Sequence, residues 1–149
     1  CEETSIAMID NFYRGNTNDT ISINTATEEI MRAYRIKTNY FGYSLDETAT
    51  QMVEWINHFY AWEARTVERP SVDSMKAELA AGRPIILPAH GTELDNPYFL
   101  TPLLDYHVIV LTGYDDETGE FISNDPGTCL LYTSPSPRDA HESRMPSSA

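Results

Sequence analysis

The chain has 149 residues, with 41% hydrophobic and 11% aromatic residues, enough to bury the core of an ordinary globular domain. Its formal net charge of −13 opposes phosphate backbones and anionic lipid, so nucleic acid and anionic membrane are poor partners, and the acidity is read as serving solubility. No run of residues reaches the ~20 apolar positions of a membrane span, and two cysteines do not make a disulfide framework.

In chain order, Cys1 leads directly into "EETSIAMIDNFY". Ile6, Ile9, Phe12 and Tyr13 fall on one helical face, and Gly15 stops that helix. "NTNDT" reads as a polar loop. "TATEEIMRAYRIKTNY" follows as a second helix, with Thr27 as cap, glutamates in the first turn, and Ile30, Met31 and Tyr34 as its apolar face. Ser44 and Glu47 are spaced as a capping box for a third helix running through Met52, Val53, Ile56 and Phe59. After Pro70, a fourth helix carries Val72, Met75 and Leu79 on one face, with Gly82 and Pro84 closing it.

The period then changes. "IILPA" is a short strand, and "YHVIVLTGY" is a longer one, apolar enough to be buried on both faces. "DDETG" has turn chemistry, and "EFISND" returns as the hairpin partner. Helices followed by an antiparallel sheet give an α+β class, expected as one domain over residues 1–128. Residues 129–149 lack alternation and are rich in Ser, Thr and Pro. They resemble translated sequencing-adapter sequence and are expected to be a non-native, unstructured tail, so Cys129, Arg138 and His141 are not site candidates.

Three residues meet the needs of thiol catalysis. Cys1 opens a helix, where unpaired N–H groups favour a thiolate. A lone cysteine is more often a small buried hydrophobe, however. His107 sits in an apolar strand, where histidines are commonly satisfied core residues; His90, in the loop "PAHGTE", competes for its role, and His58 reads as surface or core. Asp125, in "SNDPG", is on its own a turn former. Hairpin register decides whether it meets His107. A five-residue loop pairing Tyr114 with Glu120 sets Asp125 opposite Ile109, diagonal to His107 at about 7–8 Å between backbones. A three-residue loop sets it opposite Leu111, roughly 13 Å along the strand from His107. The catalytic reading requires the former. Metal chemistry lacks support, since no CxxC or HExxH spacing occurs and "DDETGE" lacks the alternating ligands of a calcium loop. No cofactor is expected.

The stretches "CEETSIAM", "MKAELAAGRPIILPAHG", "NPYF", "YHVIVLTGYD" and "FISNDPGT" resemble the papain-like cysteine peptidases of the bacteriocin-processing type, in their broad bacterial C39-like branch. The resemblance covers essentially Cys1 to Thr128. It implies a papain-like fold with N-terminal helices packed on an antiparallel sheet. It also implies Cys1 as nucleophile, His107 as general acid/base and Asp125 as the residue orienting it, with a peptide or protein as substrate. Tyr98, Phe99 and Tyr106, near the histidine, read either as the lining of a peptide groove or, as such aromatic clusters more often are, as core. The family's oxyanion glutamine would precede Cys1, and "CEE" stands where many members have Cys-Gly-Pro. The chain is therefore expected to be a fragment beginning at the catalytic cysteine, with a weakened oxyanion hole. A monomer is expected, and the compartment is left open. The alternative is a catalytically inactive papain-like domain that binds peptides.

Overall fold

The computed structural model describes residues 1–16, 20–43, 46–94 and 105–127, together with the backbone of a strand at 130–135. Among these residues are four α-helices and then four strands, the α+β order that the change of period predicts. The chain divides into two compact units, Cys1–Glu68 and Arg69–Ala149, so the helices α1–α3 and the sheet belong to different units.

In the first unit, α1 (Glu2–Tyr13) packs beside α2 (Ile23–Phe41), and α3 (Ala49–Phe59) follows. Ile6 and Ile9 are buried as their spacing requires, and Gly15 adopts a left-handed φ of 78° just past the helix end. The Asp10 carboxylate is buried one turn further along. It receives Arg14 Nη2 at 2.7 Å and Trp62 Nε1 at 3.2 Å, which ties the end of α1 to the segment after α3.

Three details of this unit differ from expectation. The buried positions of α2 are Ala33 and Lys37, whereas Met31 and Tyr34 remain 42% and 37% exposed. A small alanine lets neighbouring helices approach, and Lys37 is held there by carboxylates, so pairing rather than hydropathy selects the inward face. The α3 cap is Thr48, not Ser44: Thr48 Oγ1 accepts from the Gln51 amide at 3.3 Å, and Gln51 Oε1 accepts from the Thr48 amide at 2.9 Å. Ser44 lies outside the described residues. Glu47, expected as its partner, is buried and faces Lys37 instead. Similarly, α2 starts from Ser22, whose Oγ accepts from Thr25 N, one turn before the expected Thr27 cap.

The second unit begins with α4 (Val72–Ala80), capped by Ser71 and closed by Gly82 at φ 75°. Strands β1 (Ile85–Ala89), β2 (His107–Asp115), β3 (Glu120–Asp125) and β4 (Leu130–Pro135) form one antiparallel sheet in chain order. Val72, Met75 and Leu79 of α4 pack with Ile109, Leu111 and Phe121 of the sheet, the face that the sequence assigns to that helix. Val108 and Val110, pointing the other way, are buried too, which accounts for the unbroken apolar run of β2. Strand β4 falls in the stretch expected to be unstructured. Its Leu-Leu-Tyr-Thr run suits a pleated edge, and its proline stands at the last pairing position, opposite Glu120.

Candidate active site

Cys1 is the N-cap of α1 and is partly buried, and its backbone carbonyl accepts from the Ser5 amide at 2.9 Å. The residue therefore stands at the end of a helix where N–H groups lack intrahelical acceptors. The following Glu2 and Glu3 occupy the first turn, favourable for the helix dipole and unfavourable for a neighbouring thiolate.

In the other unit, His107 opens β2 and Asp125 ends β3. Their side chains meet, with His107 Nε2 and Asp125 Oδ1 2.7 Å apart, both essentially excluded from solvent at 2% and 0% exposure. Neither of the two expected loops produces this contact. The hairpin pairs Asp115 with Glu120, leaving four turn residues, and the register then shifts at a β-bulge between Leu111 and Gly113. Without the bulge, Asp125 would stand opposite Val110, on the face away from His107. With it, Leu111 pairs with Ser123 and Val110 with Asn124, and the same register carried one step on sets Asp125 opposite Ile109. The extra residue is Thr112, and it returns the carboxylate to the histidine's face.

Gly127 was missed as a site residue. Its amide donates to Asp125 Oδ1 at 2.7 Å, the same oxygen that His107 engages. A Cβ on Gly127 would lie 3.1 Å from Asp125 Oδ1 and 3.2 Å from His107 Cε1, tighter than ordinary contact. The signal was present in "NDPG": an aspartate bonding the amide two residues on is the turn chemistry assigned to Asp125 alone. One side chain thus closes a turn and orients an imidazole.

Of the other histidines, His90 is exposed before a short 3-10 turn (Gly91–Glu93), and His58 is exposed on α3, stacked on Tyr40 and Phe59. Neither lies with Asp125. Tyr98 and Phe99 fall outside the described residues, and Tyr106 is half-buried just before β2. Among the described residues, no group of three or more His, Cys, Asp or Glu side chains is arranged to hold a metal ion, and no helix is long and apolar enough to cross a membrane.

The helices and antiparallel sheet make an α+β architecture consistent with a C39-like peptidase fold. A family model described as the Peptidase_C39 like family matches residues 1–135, and the chain belongs to that family. At the family level it is a hydrolase of the cysteine peptidase class. No curated protein and no solved structure gives a match.

Proposed function

We propose that the chain hydrolyses peptide bonds through a Cys1–His107–Asp125 triad. The observation that carries this reading is the solvent-excluded hydrogen bond between His107 Nε2 and Asp125 Oδ1. Asp125 fixes the ring, and with Nε2 so engaged, proton transfer falls to Nδ1.

The steps follow from that assignment. The Cys1 thiolate attacks the scissile carbonyl carbon, and the C=O electron pair moves to oxygen. As the tetrahedral intermediate collapses, the C–N bond breaks and His107 gives its proton to the leaving amine. A thioester remains on Cys1. His107 then takes a proton from water, the hydroxide attacks the thioester, and the C–S bond breaks to return the thiolate and release the carboxylic acid.

The test is turnover of a mixed peptide library read by mass spectrometry, comparing the wild type with Cys1→Ala and His107→Ala. Cleavage in the wild type alone is the expected result. A wild type that retains peptides without cutting them would replace catalysis with peptide binding.

A further inference from the structure

Two features of the first unit take no part in these steps. One is negative charge in the turn that Cys1 caps: the Glu2 and Glu3 carboxylates pair with the Cys1 α-ammonium at 3.2 Å and 3.7 Å. Carboxylates on the two residues after a cysteine oppose ionisation of its thiol. The other is Lys37, 3% exposed in the middle of α2. A lysine is almost never buried unless paired. Its ammonium bridges Glu3 Oε1 and, at 3.1 Å, Glu47 Oε2. The Glu47 amide in turn donates to Glu2 Oε1 at 3.2 Å. Among the described residues, the carboxylates paired with the lysine include Glu3 from α1 and Glu47 from the segment before α3, with Glu2 joined through that amide.

We propose that Lys37 is a positioning residue for Cys1, drawing Glu3 into an ion pair and, through Glu47, pinning the first turn of α1. The thiolate then forms beside two carboxylates that face the Cys1 ammonium and are held in place by Lys37 and the Glu47 amide. This rests on the nucleophilic role proposed for Cys1.

Burial acts to lower the Lys37 ammonium, but its bonds to Glu3 and Glu47 and their charges outweigh burial and hold it above the usual lysine range. Burial likewise acts to raise Glu3, and Lys37 overcomes it, leaving that carboxyl below its usual range. Both partners of the pair are therefore charged wherever a cysteine titrates.

The test is the rate of Cys1 carbamidomethylation between pH 4 and 9, read on the Cys1 peptide by mass spectrometry. Lys37→Met removes the cation and should raise the midpoint by about one pH unit; Glu3→Gln removes the anion and should lower it by about as much. Lys37→Arg should stay close to the wild type. Both of the first two variants break the same ion pair, so a clamp without electrostatic effect would move both midpoints one way or neither, and that result overturns the proposal. Should Lys37→Met lose its circular dichroism signal, Glu3→Gln alone decides, because Lys37 keeps Glu47 and an unshifted midpoint contradicts the inference. His107→Ala in the same series reports on the triad separately. If that variant titrates as the wild type does, the nucleophile reading fails while the Lys37 comparison stays readable.

Discussion

Asp125 Oδ1 accepts two hydrogen bonds at 2.7 Å when His107 Nε2 carries the proton, one from the ring and one from the Gly127 amide. That double restraint holds the carboxylate in one rotamer, and it requires a residue without Cβ at 127. Gly127→Ala forces the pair apart by a few tenths of an ångström, and kcat should fall about tenfold with KM nearly unchanged. Steady-state kinetics of the variant checks this; a KM effect alone would mean that Gly127 serves substrate binding. His107 and Asp125 were legible because a histidine leading an apolar strand and an aspartate ending its partner are few in a chain this length. Gly127 was not, because a glycine after Asp-Pro is fully explained by a turn.

At the scale of elements, the register beyond Thr112 decides the site. Thr112 is the unpaired residue, so deleting it while the turn stays intact removes the bulge and keeps Asp125 opposite Ile109, on the face of His107. Peptide turnover should then stay within about tenfold of the wild type, with near-UV circular dichroism retained; a loss of about 10²-fold or more would mean that the local twist of the bulge, and not the register, holds Asp125 against His107. Hydropathy patterns carry no mark of such a bulge, since one extra residue in "VIVLTGY" leaves the run apolar. Caps were legible in kind but not in position. Ser44–Glu47 and Thr48–Gln51 both have the capping-box spacing, and the second forms because Glu47 is drawn to Lys37. Thr48→Ala should cost about 1 kcal/mol, measurable by thermal unfolding, whereas an equal loss at Thr27 is not expected. The strands Ile85–Ala89 and Glu120–Asp125 coincide with the runs read as strands, because period-2 patterns bounded by turn residues leave little freedom. The inward face of α2 was misread because a paired lysine takes the place that hydropathy gives to methionine and tyrosine.

For the whole molecule, the buried charges of the first unit govern the response to pH. Burial pushes the Glu47 carboxyl up and Lys37 pulls it back only in part, so its ionised form is disfavoured in the folded state. A raised carboxyl costs stability as pH rises through its folded pKa, the opposite of Glu3, whose lowered pKa contributes stability above its unfolded value and loses it as pH falls. Glu47→Gln removes the first effect and spares the second. The melting temperature of the variant relative to the wild type should therefore increase from pH 4 to pH 7; a difference that shrinks over that range would reverse the assignment. The division into helical and sheet units was not legible from composition, since no linker-like stretch marks residues 68 and 69. Residues 130–135 show the same limit in reverse. A Ser- and Pro-rich context argues for disorder, while the short Leu-Leu-Tyr-Thr core is enough to pair with β3.

The couple proposed between the Cys1 thiolate and the His107 imidazolium is tested by alkylation of Cys1 with iodoacetamide across pH 4 to 9. A reaction that persists well below pH 7 in the wild type and collapses in His107→Ala is expected. A profile that rises only near pH 8.5, the range of an ordinary thiol, and is identical in both proteins would contradict it.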